Sequence, residues 1–192
     1  MRNYTASDVK DMFDSYKQHV SYVIVAHTFH RPYVASTNVG RFKHVRADSY
    51  LKQKLVETSI DTRYALNCFN KLLYPNATNK VIRKPNLFKP LAFVTIEGAK
   101  ETTDRAQTIH VNIALGNLPK ALTTEDIETL FRHVWHEKAK QKDDVWVEKY
   151  NENDWNGYMV KEGQRDIKRA WNENSFWDVS NCWIPHNALK AD

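Results

Sequence analysis

Residues 91–115, LAFVTIEGAKETTDRAQTIHVNIAL, contain two apolar segments joined by a polar connection. The first segment is rich in β-branched and aromatic residues and ends at Glu97, which predicts a buried strand. In the second segment, residues 108–115, apolar and polar side chains alternate, and the polar ones are His110 and Asn112. The polar connection between the two segments favours an antiparallel hairpin.

The rest of the chain predicts a mixture of helices and strands around this hairpin. The expected helices cover residues 5–20, 57–74, a segment after Thr123 and a segment after Asp154, and the other expected strands cover residues 21–29 and 145–150. This mixture favours an α+β domain in which helices flank a central, mostly antiparallel sheet. Because a domain averages roughly 150 residues, we expect a single domain over residues 1–192, with an N-terminal helix in 1–20 and a C-terminal extension over 166–192.

Two of the predicted helices carry an apolar face that we expect to pack against the sheet. In the helix after Thr123 this face consists of Ile127, Leu130, Phe131, Val134 and Trp135. In the helix over 57–74 the residues in phase are Ile60, Tyr64, Phe69 and Leu72. Residues 31–54, which precede that second helix, are rich in basic side chains and are interpreted as a connection.

Composition excludes several classes of protein. Hydrophobic residues make up 42% of the chain and charged residues 27%, which is typical of a folded globular protein and argues against disorder. No apolar run reaches the roughly 18 residues that a membrane helix needs, and the N-terminus has no signal-peptide core. We therefore expect a cytoplasmic protein that is neither secreted nor associated with a membrane. Cys68 and Cys182 are too few for a disulfide scaffold or a cysteine zinc site.

The charge is distributed unevenly along the chain. Residues 1–100 carry sixteen basic and seven acidic side chains, a net charge of +9, whereas residues 101–192 carry twelve basic and sixteen acidic ones, a net charge of −4. A basic half favours a polyanionic partner, although surface charge that only aids solubility gives the same count.

His110 and Asn112 are candidate ligands of one divalent metal ion. Side chains two positions apart on a strand point the same way, and imidazole nitrogen and amide oxygen are both acceptable ligands of Mn²⁺ or Mg²⁺. A carboxylate would complete the site, and Glu97 fits best because it ends the neighbouring strand, while Glu101 and Asp104 lie in the connection. A polar strand face exposed to solvent would produce the same alternation.

Tyr158 and Lys161 form a second candidate pair. Residues three positions apart are neighbours on a helix, and an ammonium group beside a phenol favours the phenolate, which is a nucleophile. A phenolate that attacks phosphorus forms a phosphotyrosine, which conserves the energy of the phosphodiester bond. A packed tyrosine beside a solvated lysine is the structural alternative.

The order of these motifs resembles the HUH endonucleases, especially the single-tyrosine rolling-circle replication initiators of phages, plasmids and small circular DNA viruses. IHVNIAL resembles their strand with two metal ligands, GYMVKE resembles their helix with the nucleophilic tyrosine, and VIVAHTF falls where their first strand motif stands. The resemblance covers roughly residues 20–165. Asn112 replaces the second histidine of the family's pair, a change that favours Mn²⁺ or Mg²⁺ over zinc.

The resemblance implies an HUH/RRM-like nuclease domain and a rolling-circle DNA replication initiator. Such a nickase is a metal-dependent, sequence-specific endonuclease and ligase, which cleaves single-stranded or hairpin origin DNA through Tyr158, assisted by Lys161. It forms a covalent protein–DNA linkage through a 5′-phosphotyrosine, leaves a free 3′-OH, and can rejoin strands. The metal would be held by Glu97, His110 and Asn112, and DNA phosphates would be contacted by Arg41, Lys43, Arg46, Lys52 and Lys54.

Host proteins are also implied, because the roughly 27 residues after 165 cannot hold a helicase domain. We therefore expect a host helicase and a host polymerase as partners. Two alternatives stay open at this point. One is a related HUH transposase or relaxase, and the other is a non-enzymatic DNA-binding regulator that uses the basic half alone.

Overall fold

The computed structural model describes residues 6–32, 43–99, 106–151 and 175–185. Its helices are α1 (Ala6–Asp14), α2 (Lys43–Leu73), α3 (Thr78–Arg83), α4 (Pro85–Phe88) and α5 (Thr124–Arg132), with a 3-10 turn at Lys17–His19 and a π-helical segment at His133–Lys138. Its strands are β1 (Val20–His27), β2 (Leu91–Glu97), β3 (His110–Gly116), β4 (Val145–Lys149) and β5 (Ser175–Trp177).

The five strands form one sheet in the order β4-β1-β3-β2-β5, and every neighbouring pair is antiparallel. This arrangement confirms the predicted α+β class with a mainly antiparallel sheet. The predicted hairpin is present as well, because β2 and β3 pair in register from Leu91 opposite Gly116 to Glu97 opposite His110. Strand β3 is therefore the middle strand, and its side chains lie between those of β1 and β2.

One face of the sheet, called the first face below, packs against α2, α5 and the π-helical segment. It carries the apolar residues of the alternating strands, among them Ile24, Ala26, Val94, Ile96, Val111 and Ile113. These residues pack against Leu55, Leu66 and Phe69 of α2 and against Phe131 and Trp135. At about 25 cal/mol per Å² of buried apolar surface, this cluster supplies most of the hydrophobic stabilisation that holds the helices on the sheet.

The opposite face, called the second face, carries the residues that alternate with those of the first. It packs near α1, because Phe13 and Tyr16 are buried against Val23 and Phe93. The Phe13 and Phe93 rings lie 6.2 Å apart. The predicted N-terminal helix is thus confirmed, although it ends at Asp14 and gives way to the 3-10 turn before β1. His110 and Asn112 of β3 belong to this second face.

Helix α5 begins where the sequence predicts. Thr123 and Asp126 form a reciprocal capping box, in which each side chain accepts a hydrogen bond from the other residue's backbone amide. The predicted apolar face is confirmed too, since Ile127, Phe131, Val134 and Trp135 are fully buried. The indole of Trp135 donates a 2.8 Å hydrogen bond to the carbonyl of His27 and so ties the π-helical segment to the end of β1.

Helix α2 corrects two predictions. It begins at Lys43, so the second half of the supposed basic connection over residues 31–54 is helical. Its predicted apolar face is confirmed only at Phe69, which is fully buried. The other three predicted residues are wrong, because Ile60 and Tyr64 are about half exposed and Leu72 is 42% exposed. The buried face is instead made of Leu51, Leu55, Thr58, Thr62, Ala65, Leu66, Phe69 and Leu73.

Thr58 and Thr62 explain why the spacing of apolar residues in α2 predicted the wrong buried face. Thr58 donates its hydroxyl hydrogen bond to the carbonyl of Lys54, and Thr62 donates to the carbonyl of Thr58. A threonine whose hydroxyl is satisfied within its own helix presents its methyl group to the core, so it buries as an apolar residue. Periodicity counts the same residue as polar, and the apparent apolar face then rotates away from the real one.

The described part of the C-terminal extension, residues 175–185, adds the edge strand β5 beside β2, and the sequence did not predict this strand. The Trp177 ring packs in tilted contact with Phe93, at a centroid distance of 4.8 Å, and with Tyr16, at 4.7 Å, and so extends the cover of the second face. No helix within the described ranges combines the length and the apolar character needed to cross a bilayer.

Candidate metal centre on the second face

Glu97 and His110 lie directly opposite each other on β2 and β3. The Oε2 atom of Glu97 is 3.3 Å from Nε2 of His110. Glu97 is 1% exposed, which is rare for a carboxylate because burial of a charge costs several kcal/mol unless it is compensated. The predicted proximity of the Glu97 carboxylate and His110 is therefore present, at the end of β2 and the start of β3.

Asn112 lies one pleat further along the same face and is fully buried. Neither its Oδ1 nor its Nδ2 has a hydrogen-bond partner among the described residues. Thr95, which is its cross-strand neighbour on β2, also has a buried hydroxyl without such a partner. Each unsatisfied buried polar group costs about 1–3 kcal/mol, and a bound ion or water molecule is one arrangement that would satisfy such groups.

His27 joins this group from the other side of β3. It lies opposite His110 in the β1–β3 register, and the two rings stack with centroids 5.0 Å apart. Burial, followed by the nearby charge of His110, lowers the pKa of His27, and Nδ1 lies 3.2 Å from the Thr108 hydroxyl. His30 is not part of the group, because its Nε2 lies 2.8 Å from a carboxylate oxygen of Asp61 on α2.

The donor set fits a hard divalent cation. Carboxylate and amide oxygens together with one imidazole nitrogen suit Mn²⁺ and Mg²⁺, and the unsatisfied amide of Asn112 would gain a partner on binding. Among the described residues, no group of three or more His, Cys, Asp and Glu side chains is placed to hold a metal ion. A metal bound here by described side chains would therefore need a donor of another type beside Glu97 and His110, and the amide oxygen of Asn112 is such a donor.

Gly98 holds the end of β2 close to His110. Its φ of +75° lies in the left-handed region, and a Cβ atom there would stand 2.7 Å from the carbonyl oxygen of Thr108 and 3.3 Å from Nδ1 of His110. We expect Gly98→Ala to lower the free energy of unfolding by about 1–3 kcal/mol, the usual cost of such backbone strain. Urea denaturation measures this, and an unchanged midpoint would show that the chain relaxes at no cost.

Asn112→Leu should make the metal-free protein more stable, because leucine has a similar branched shape and removes two unsatisfied polar atoms. The expected gain in the free energy of unfolding is about 1–3 kcal/mol. Urea denaturation in EDTA tests this, with Thr95→Val as the matched variant, since it removes the neighbouring unsatisfied hydroxyl. A loss of stability in both variants would contradict the absence of partners for these groups.

Most of the other predicted site residues cannot be placed relative to this centre, because they lie outside the part of the chain that the structure describes. Tyr158, Lys161, Arg41, Glu101 and Asp104 lie outside the described residues, as do the side chains of Lys43 and Arg46. Lys52 is exposed on α2, and Lys54 on the same helix contacts Glu57 with a 2.6 Å ion pair. The core residues of α2 pack on the first face, so the described part of the basic set does not adjoin the metal candidate.

Sequence reasoning identified the three candidate ligands but missed Thr95 and the place of His27 beside them. Both residues sit in strand segments that the sequence located well, yet their proximity depends on which residues face each other across β3. The alternation within each strand was the one signal that could have placed these residues. It puts Thr95 and Glu97 on the same face of β2, and His27 on the same face of β1 as Val25. The register between strands was not available from that signal.

No protein-family model, curated protein or solved structure matches this chain.

Proposed function

We propose that this protein is a metal-dependent, single-stranded DNA endonuclease and ligase of the HUH type that initiates rolling-circle replication. The observation that carries the proposal is that Glu97, His110 and Asn112 share the second face, with a buried carboxylate 3.3 Å from an imidazole and, two positions along β3, a buried amide without a hydrogen-bond partner among the described residues. A sheet face that served only packing or solvation would have no use for this combination.

The topology supports the same proposal. Apart from the short helices α3 and α4, the π-helical segment and the added edge strand β5, the elements follow the succession β1–α2–β2–β3–α5–β4 with strand order β4-β1-β3-β2, which is a split β-α-β arrangement. It agrees with the HUH/RRM-like nuclease domain implied by the motifs, in which a strand carries two metal ligands that flank an apolar residue. Val111 is that apolar residue here, and it is buried in the first face.

The proposed reaction is a transesterification. The phenolate oxygen of Tyr158 forms a bond to the scissile phosphorus, the bond from phosphorus to the 3′ oxygen breaks, and that oxygen leaves as a 3′-OH after it takes up a proton. Lys161 stabilises the phenolate or the phosphate. A divalent ion held by Glu97, His110 and Asn112 would neutralise charge that grows on the phosphate oxygens in the transition state. The reverse attack by a 3′-OH rejoins the strand.

A denaturing gel tests the proposal directly. The probes are single-stranded oligonucleotides tiled across the DNA that flanks the protein's own coding sequence, each labelled at either its 5′ or its 3′ end. With Mn²⁺, we expect a band of protein-sized mobility that survives boiling in detergent and carries only the 3′ label. The 5′ label should instead appear on a shortened free strand, because the tyrosine retains the 5′-phosphate of the downstream fragment.

The gel also separates the proposal from its alternatives. Retarded DNA on a native gel without any adduct on the denaturing gel favours a non-enzymatic DNA-binding regulator and overturns the nuclease. Adducts that form only on the ends of a mobile element, or only on a plasmid-transfer origin, favour a transposase or a relaxase. An adduct that carries the 5′ label would contradict the stated polarity of the reaction.

A further inference from the structure

Trp146 is an exposed aromatic side chain on the edge strand β4, and it is 49% exposed. The other large apolar side chains that are exposed in the described ranges lie on helices or outside the strands. An isolated side chain of this kind is too small for a stable protein–protein interface, which buries roughly 800 Å² on each partner. It is, however, large enough to hold one planar ring.

Trp146 lies on the second face, the face of the metal candidate. Its chain neighbours Val145 and Val147 are buried in the first face, so the side chain between them points to the other side. The same alternation puts Asn112 on the second face, because Val111 and Ile113 flank it and are buried in the first. Both side chains therefore lie on one surface of the sheet.

Trp146 and Asn112 also share one row across the strands. Trp146 pairs with Val25 of β1, and Val25 pairs with Asn112 of β3. Two strand spacings separate the ends of this row, about 9–10 Å. Val25 lies between them as a partly buried apolar residue that packs with the cluster of the second face. The row thus runs from an exposed ring, over an apolar residue, to a buried unsatisfied amide.

We propose that Trp146 is a base-stacking residue for single-stranded DNA, one that receives a nucleotide close to the scissile phosphate. This inference rests on the proposed function, since it assigns a binding role on the same face as the metal candidate. Stacking of a base on an aromatic ring tolerates any base sequence, because every base presents a π-face. A residue of this type positions the strand and does not take part in the chemistry.

The test is a binding measurement that does not depend on cleavage. All variants carry Tyr158→Phe, and fluorescence anisotropy follows their binding to a labelled single-stranded oligonucleotide in EDTA. We expect Trp146→Ala to weaken binding by about 5- to 150-fold, the range for loss of one stacked base. Trp146→Phe should recover most of the affinity. Tyr64→Ala is the matched control, because this tyrosine is exposed to the same extent, 49%, on the helix that covers the first face.

A scan with abasic sites distinguishes stacking from a general effect on folding. For the protein that has Trp146, removal of the base at one position of the oligonucleotide should weaken binding. For Trp146→Ala, removal of the same base should not change the affinity. The dependence of binding on salt should not change in Trp146→Ala, because no charge is removed. Two results would overturn the inference. One is an equal affinity of the Trp146→Ala protein and of the protein that has Trp146, and the other is a loss of affinity at the abasic position that persists in Trp146→Ala.

These outcomes are separate from those of the proposed function. If an adduct forms through Tyr158 and Trp146→Ala binds DNA normally, the stacking role of Trp146 is rejected and the proposed nuclease function is retained. Binding that depends on Trp146 together with no adduct under any metal removes the nuclease and leaves a single-stranded DNA-binding surface.

Discussion

Tyr158→Phe should abolish the covalent protein–DNA adduct and the release of the 5′-labelled fragment, to below the limit of detection. Phenylalanine keeps the ring but lacks the only oxygen that can attack phosphorus in the proposed reaction. In the proposed reaction, the energy of the phosphodiester bond is conserved only in the phosphate ester of the Tyr158 oxygen. No neighbouring group therefore replaces that oxygen in the proposal. The measurement is the denaturing gel with 3′-labelled single-stranded DNA and Mn²⁺.

Binding must survive in this variant for the result to be interpretable. Loss of one hydroxyl leaves the basic side chains and Trp146 in place, so we expect the affinity of Tyr158→Phe for single-stranded DNA to stay within about threefold of the original. A variant that binds normally and forms no adduct identifies the hydroxyl as the reacting group. A variant that still forms the adduct would remove Tyr158 as the nucleophile.

Two other tyrosines serve as controls for the assignment. Tyr150 follows β4, and its ring contacts Phe13 edge-on at 6.1 Å. Tyr64 is half exposed on α2. Both Tyr150→Phe and Tyr64→Phe should retain the adduct. A loss of adduct in Tyr150→Phe alone would move the nucleophile there, and a partial loss in both Tyr150→Phe and Tyr158→Phe would indicate two tyrosines that act in turn.

Local patterns were enough to predict strands β1 to β4 and helix α5. Leu91–Glu97 and His110–Gly116 are short, strongly alternating or continuously apolar segments, and the capping pair Thr123 and Asp126 marks a helix start by its own chemistry. The face assignment of His110 and Asn112 follows from the same alternation, because a period of two leaves each strand residue only two directions. These features depend on residues close in sequence.

The features that the sequence did not reveal depend on partners far away in the chain. Helix α2 buries Thr58 and Thr62, and only the packing against the first face shows that their hydroxyls turn back to the helix. Strand β5 forms because Ser175–Trp177 adds to the free edge of β2. The stacking of His27 on His110 follows from the β1–β3 register, which an isolated strand does not specify.

The candidate centre shows how function and stability oppose each other on one sheet. The first face is filled by apolar side chains, as packing requires. The second face, directly behind it, carries a buried carboxylate at the end of β2 and, within β3, a buried amide that has no hydrogen-bond partner among the described residues. Buried polar groups of this kind lower the stability of the folded protein. Such a loss of stability is typical of binding and catalytic sites.

His110→Ala should lower the rate of adduct formation at saturating Mn²⁺ by about 10²–10³-fold, a loss of about 3–4 kcal/mol of transition-state stabilisation. The imidazole is the one nitrogen ligand of the proposed set, and its removal leaves two oxygen donors at the centre. Glu97, whose carboxylate lies 3.3 Å from that ring, would keep its buried position without the ring beside it. Apparent affinity for Mn²⁺ should fall together with the rate.

The measurement is a titration of the adduct rate with Mn²⁺, together with calorimetric binding of Mn²⁺ in the Tyr158→Phe background, where no chemistry occurs. Thermal unfolding of each variant accounts for any loss of fold, and His110→Gln keeps a polar donor at the same position if the alanine variant is unstable. His133→Ala is the matched control, because that histidine is exposed at the start of the π-helical segment. A folded His110→Ala protein with an unchanged rate and an unchanged Mn²⁺ affinity would exclude the second face as the metal centre.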